Sequence, residues 1–180
     1  DDEEIAEISK KHGAEVPFIR PDFLATDKSL QIDCIKHAVA FLEENEEFYD
    51  YIMVLQPTVP LRNSDDIDAA IKVAKNTQVD SVISVCDVGG KHPITYYEKI
   101  SNLTIKPIIS SNKKGVLRQD FKEVYWRNGA IYLIQRDTLI EKNSLYGDTI
   151  GYYEMPEERS FNVDSFFDWD VLESFVGSLK

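Results

Sequence analysis

Tyr51-Ile52-Met53-Val54-Leu55, closed by Gln56-Pro57, is the stretch that decides the fold. A continuous apolar run of this length fits a strand covered on both faces, the pattern of a parallel sheet. Proline then removes a backbone donor and stops the strand. Further along, Ser64 with Asp65 and Asp66 behind it caps a helix whose Ile67, Ala70, Ile71 and Ala74 form one stripe, and Ser81–Cys86 is a second apolar strand. Upstream, Ile32, Ile35, Val39 and Leu42 recur at helical spacing as far as the acids of Glu43–Glu47. Strand, helix and strand with short connections predict right-handed βαβ units, and so an α/β fold built on a doubly wound, mostly parallel, Rossmann-like sheet.

The flanks extend this pattern. Asp1–Glu4 place acids in a first helical turn that closes with Lys10, Lys11 and Gly13, and Glu15–Ile19 reads as a short strand ended by Arg20-Pro21. Residues 87–127 break the rhythm with Gly89-Gly90, two prolines and a polar stretch, which predicts an excursion from the sheet. Asn128–Ile134 and Gly151–Met155 return as strands, and Asp168–Leu179 as a closing helix. A single domain spanning 1–180 is expected, with no internal repeat.

Twenty Lys+Arg against 32 Asp+Glu give a formal charge of −12, a surface that repels nucleic acid and anionic lipid. Anionic nucleotides can still bind where a divalent cation or a local group of arginines offsets the repulsion. Cys34 and Cys86 match no metal-ligand spacing and are expected as buried free thiols. No apolar run approaches the roughly 18–20 residues that span a bilayer, which predicts a soluble, cytoplasmic protein. The chain opens on Asp1 rather than Met, and a segment upstream of it is expected.

In open α/β sheets ligands sit beyond the carboxyl ends of strands, so the informative residues follow each strand. Four segments stand there: Arg20-Pro21-Asp22-Phe23-Leu24-Ala25-Thr26-Asp27; Leu55-Gln56-Pro57-Thr58-Val59-Pro60-Leu61-Arg62; Arg118-Gln119-Asp120 leading to Asn128-Gly129-Ala130-Ile131-Tyr132; and Phe161-Asn162-Val163-Asp164. Each has a bland alternative: a surface cation for Arg20, a strand stop for Gln56-Pro57, a turn for Asn128-Gly129 and a helix cap for Asp164.

Taken together and in order, the four resemble the CMP-sialic acid synthetases (acylneuraminate cytidylyltransferases), whose patterns are similar to R-P-x-x-L-A-x-D, L-Q-P-T-S-P-L-R, R-Q-x-x-P before N-G-A-I-Y, and a late D-I-D. The resemblance covers essentially the whole chain. It implies a nucleotidyltransferase fold, a homodimer formed through residues 87–127, and transfer of CMP from CTP to the anomeric hydroxyl of a sialic-acid-like sugar, with pyrophosphate released. It further implies Mg²⁺ as cofactor. By the same resemblance Arg20 lies near the nucleotide, and Gln56 hydrogen-bonds the sugar. Arg118, Asn128 and Tyr132 line the sugar-acid pocket, and Asp164 with Asn162 holds the metal; Asp164, Gln56 and Arg118 are the candidate catalytic residues. Such chemistry rests on positioning and charge neutralisation, which these residue types can supply.

Three departures bear on specificity and metal binding. The family's opening strand and its phosphate-gripping loop have no counterpart after Asp1. Asn162 stands where an aspartate is usual, and Leu145-Tyr146 where a pair of phenylalanines is usual against the sugar's side chain. A legionaminic or pseudaminic type of sugar acid, a Kdo-type cytidylyltransferase, and a catalytically silent dimerisation module therefore remain as alternatives. His92-Pro93 is read as structural or as part of a dimer interface, and Trp126 and Trp169 as packing residues.

Overall fold

The computed structural model describes residues 1–109 and 122–178. The helices are α1 (Glu3–Lys11), α2 (Gln31–Glu44), α3 (Ser64–Asn76), α4 (Arg136–Ile140) and α5 (Phe166–Ser178). The strands are β1 (Tyr51–Val54), β2 (Ser81–Asp87), β3 (Tyr97–Lys99), β4 (Ile105–Pro107), β5 (Tyr125–Gln135) and β6 (Ile150–Glu154). A four-stranded sheet runs in the order β1-β5-β2-β6, and β3 and β4 form a separate two-stranded ribbon.

The α/β class and the β1-α3-β2 crossover stand as expected. Strands β1, β2 and β6 run one way and β5 the other, so β5 pairs antiparallel with both β1 and β2 while β2 and β6 pair in parallel. The sheet is thus mixed. Hydrophobic periodicity fixes how a strand is covered but not its direction, so the reversal of β5 is carried by topology alone.

Glu15–Ile19 is not a strand; it has no ladder partner among the described residues. The helix after β1 is capped by Asn63 rather than Ser64. The Asp66 amide donates to Asn63 Oδ1 and the Asn63 amide to Asp66 Oδ2, both at 3.0 Å, a reciprocal capping box that satisfies two orphan donors.

Two apolar clusters flank the sheet. On the α3 side Val59, Ala70, Ala74, Val82, Ala130, Ile131, Leu133 and Met155 are buried together. On the other side Tyr132, Ile134 and Leu139 pack with Ile32, Ile35 and Val39 of α2 and with Leu145 and Tyr146. From Ile131 to Ile134 successive residues of β5 feed opposite clusters, as the strand period of two requires. Cys86 is buried, but Cys34 is only half-buried, its thiol 3.2 Å from the Leu24 carbonyl that accepts from it.

Candidate active site

The site is built around an interruption in β5. Opposite β2 the register jumps, so that Ile83 faces Tyr132 and Val85 faces Arg127, leaving Asn128–Ile131 bulged against a single residue, Ser84. Bulges of this kind re-aim side chains next to functional sites. Asn128 and Ser84 hold this one open. Ser84 Oγ donates to Asn128 Oδ1 at 2.6 Å and accepts from the Ile131 amide at 2.8 Å. The Ala130 amide donates to Asn128 Oδ1 at 3.1 Å, and Asn128 Nδ2 donates to Ser160 Oγ at 2.8 Å. Asn128 is 2% exposed, and both ends of its amide are engaged within the protein. The family resemblance implies that it lines the pocket; in the structure it is buried and shapes the bulge.

Gln56 meets the bulge from β1. Gly129 has φ of +80°, and a Cβ there would stand 2.6 Å from Gln56 Oε1, so only glycine provides both the backbone conformation and the room for this side chain. Arg62, which closes the same loop, turns inward. Its Nη1 donates to the carbonyls of Gln56 at 3.2 Å, Val59 at 3.4 Å and Ala130 at 2.8 Å, binding the loop to β5. Burial lowers its pKa, partly offset by Asp66. Val59, which departs from the family's serine, is fully buried in the α3-side core.

The Asn162–Asp164 loop joins this assembly through the Val163 amide, which donates to the Thr58 carbonyl at 2.8 Å. Asp164 is exposed, and Asn162 Nδ2 donates to its Oδ2 at 2.5 Å. It does not cap α5. That task belongs to Ser165 and Asp168: the Ser165 amide and hydroxyl donate to Asp168 Oδ2 at 2.8 and 2.7 Å, and the Asp168 amide donates to Ser165 Oγ at 3.3 Å. The hydrogen bond from Ser165 leads in lowering the pKa of Asp168. The Asp164 carboxylate is thus left to face solvent, beside Phe166 and Trp169. Trp169 is half exposed, not packed as expected.

Among the described residues no three His, Cys, Asp or Glu side chains form a metal-holding group. The Asp164 carboxylate nevertheless suits Mg²⁺, which keeps several waters and takes much of its coordination from substrate phosphates, and the Asn162 carboxamide would add a ligand by turning its oxygen in place of the N–H that it now gives Asp164. Zinc or a caged calcium ion would demand more ligands than Asp164 and Asn162 offer.

Tyr132 is 6% exposed, and its ring lies 6.3 Å from that of Tyr146. Burial raises its pKa, against the pull of Arg127. The Tyr146 loop is fastened by Asp80, which accepts from Lys142 at 2.9 Å and from the Asp148 and Thr149 amides at 2.7 and 3.0 Å; these contacts hold its carboxyl far below the usual range.

Arg20 is not joined to this cluster by its contacts, which are an ion pair with Asp1 at 2.7 Å and the Cys34 thiol at 3.9 Å. His92 Nδ1 accepts from the Ile94 amide at 3.2 Å and caps a short 3₁₀ turn, in keeping with the structural reading. Arg118 lies outside the described residues. Arg127, Ser84, Ser160 and Asp66 are contributors that the sequence reading passed over. Ser84 alone carried a signal, a hydroxyl in the middle of an otherwise apolar strand.

The fold and these loops define an α/β protein of the architecture in which small ligands sit beyond the carboxyl ends of the strands. The sequence matches the Cytidylyltransferase family over residues 1–176, and the chain belongs to that family. It is 32% identical over 177 residues to post-translational flagellin modification protein B of Campylobacter coli, covering 98% of this chain and 74% of that protein. It is 30% identical over 184 residues to an N-acylneuraminate cytidylyltransferase of Streptococcus agalactiae serotype V, covering 96% of this chain and 43% of that protein. A CMP-N,N'-diacetyllegionaminic acid synthase of Campylobacter jejuni is 30% identical over 181 residues, covering 100% of this chain and 75% of its own. The CMP-sialic-acid-synthetase-like character expected from the four motifs is thereby upheld. Among solved structures, a CMP:2-keto-3-deoxy-manno-octonic acid synthetase complexed with CTP superimposes with a TM-score of 0.67 over 100% of this chain and 79% of its own; at 13% identity it speaks for the fold alone. Among the described residues no helix is long and apolar enough to cross a membrane.

Proposed function

We propose that this chain belongs to a Mg²⁺-dependent cytidylyltransferase that activates N-acetylneuraminic acid or a related nonulosonic acid as its CMP derivative, working as a homodimer. The observation that carries this reading is the convergence of three strand-end segments on one place: Gln56 seated on Gly129, the bulge shaped by Asn128, and the Asn162–Asp164 loop hung from Thr58. The neuraminate and legionaminate names of relatives near 30% identity support the substrate class.

In the reaction the anomeric hydroxyl oxygen bonds to the α-phosphorus of CTP, the bond to the bridging oxygen breaks, and pyrophosphate leaves. The hydroxyl proton passes to solvent or to the leaving group. Gln56 orients the sugar from the end of β1, Tyr132 and Tyr146 form the wall behind it, and Arg118 and Arg20 serve the sugar acid and the nucleotide as the family resemblance implies. Asp164 and Asn162 would hold Mg²⁺, which when bound offsets the charge of the triphosphate. Positioning by these groups supplies the entropic part of the acceleration.

The full-length protein, given CTP and Mg²⁺ with N-acetylneuraminate, N,N'-diacetyllegionaminate or Kdo in turn, tests the reading. Pyrophosphate release with a CMP-sugar mass for one of the first two is expected. Turnover of Kdo alone, or of none, overturns it.

A further inference from the structure

We infer that Arg127 is a carboxylate-recognising residue of the sugar-acid pocket, held in place by Tyr132 and Tyr146; the inference rests on the cytidylyltransferase reading above.

Of the six arginines in the chain, five lie among the described residues, and four of these are committed elsewhere. Arg20 pairs with Asp1, Arg136 with Glu43 and Arg159 with Asp66, while Arg62 is spent on backbone carbonyls. Arg127 differs. In a chain of charge −12 its guanidinium has no carboxylate partner among the described residues. It lies instead 5.7 Å from the centroid of the Tyr132 ring and 5.3 Å from that of Tyr146, and donates through Nη1 to the Tyr146 hydroxyl.

Two aromatic faces and one hydrogen bond restrain the guanidinium without neutralising it. Of its five donors one is used, and the residue is exposed, so an open fork remains for a planar anion. The tyrosines are themselves fixed. Tyr132 is buried in the α2-side cluster, and the Tyr146 carbonyl accepts from Ser81 Oγ at 2.7 Å. A cation preorganised in this way loses little side-chain freedom on binding.

The position of Arg127 points to the sugar's carboxylate rather than to the triphosphate. Arg127 sits with Tyr132 and Tyr146 on the α2 side of the sheet. The candidate metal loop hangs from Thr58, next to Val59 in the α3-side core. The bulge that carries Gly129 and receives Gln56 begins at Asn128, the residue after Arg127 in β5, so Arg127 adjoins it along the strand.

The experiment uses the full-length protein, with N-acetylneuraminate and its methyl ester as probes. Arg127→Ala should raise KM for the acid between roughly tenfold and a hundredfold, the scale of a lost charge-assisted hydrogen bond, and leave KM for CTP within about twofold. Binding of the ester, followed by calorimetry, should scarcely change, so the protein's preference for acid over ester collapses. Arg127→Met, which keeps an apolar stem over the tyrosines, should reproduce the loss with an unaltered melting temperature even where Arg127→Ala is less stable. Arg127→Lys should recover part of the preference. A rise in KM for CTP instead would assign Arg127 to the phosphates, and equal weakening of acid and ester would show it to be structural; either result overturns the inference while leaving the enzyme reading intact. If the wild-type protein turns over no nonulosonic acid, the enzyme reading fails and the inference falls with it.

Discussion

Among the described residues the Asp164 carboxylate caps no helix and accepts from the Asn162 side chain alone. Had it capped α5, its carboxylate would be worth about 1 kcal/mol of helix stability and little else. Ser165 and Asp168 do that work, and the neighbour that touches Asp164, Asn162, contributes an amide N–H at 2.5 Å. Asp164→Asn in the full-length protein should therefore lower activity at limiting Mg²⁺ by roughly a hundredfold, within the several kcal/mol a bound cation supplies, with an unchanged melting temperature. Asn162→Asp should restore an acidic pair and reduce the Mg²⁺ needed for half-maximal rate. Normal turnover of Asp164→Asn at limiting Mg²⁺ would remove the metal from this position. Gln56 was legible at this scale because it follows the end of β1, whereas Arg20 follows no strand among the described residues and Asn128 and Tyr132 lie within β5. The occupation of Asn128 was not, since its partners Ser84 and Ser160 lie 44 and 32 residues away and no local pattern announces them.

Among the elements, the turn from β6 to α5 depends on one buried ion. Asp66 at the start of α3 is fully buried, and its oxygens accept from Arg159 at 2.7 and 3.1 Å and from the Tyr153 hydroxyl at 2.8 Å. Burial alone would raise the pKa of Asp66, but the hydrogen bonds from Arg159, the Asn63 amide and Tyr153 outweigh it and leave the value lowered. A depressed carboxylate pKa stabilises the fold above the unfolded value near 4 and loses that contribution as pH falls towards the folded one. Arg159→Met strands the charge, and should cost about 3 kcal/mol at pH 7, read from denaturant midpoints. The deficit should shrink below roughly pH 4 as Asp66 takes up a proton. A deficit constant from pH 7 to 3 would show that lost packing, not the ion pair, is responsible. Element type was legible for α2, α3, β1 and β2, where apolar spacing is regular. The failed strand at Glu15–Ile19 has the opposite cause, because strand propensity does nothing without a ladder to join.

For the whole molecule, the ribbon of β3 and β4 is the feature that a monomer would leave unexplained. It departs from the main sheet within residues 87–127, as the broken rhythm of the sequence indicated. All three residues of each strand are exposed, and an ion pair across it, Lys106 with Glu98 at 3.0 Å, is itself exposed. Tyr96, Tyr97, Ile100, Leu103, Ile105 and Ile108 stand open to solvent around it. Scattered apolar residues are ordinary on a surface, but six concentrated along one short ribbon are what an interface would cover. A two-stranded ribbon is at best marginally stable alone, so the same contact would secure the ribbon and hide the patch. A two-fold pairing in which each ribbon covers the other protomer is the simplest closed arrangement. The full-length protein should therefore sediment at twice its chain mass at micromolar concentration. Ile105→Glu and Tyr97→Glu, each burying a carboxylate at the proposed contact, should shift it to the monomer without disturbing the main sheet, whose far-ultraviolet dichroism should persist. A wild-type protein of single-chain mass under these conditions would rule out the dimer and leave the ribbon free to meet a different partner.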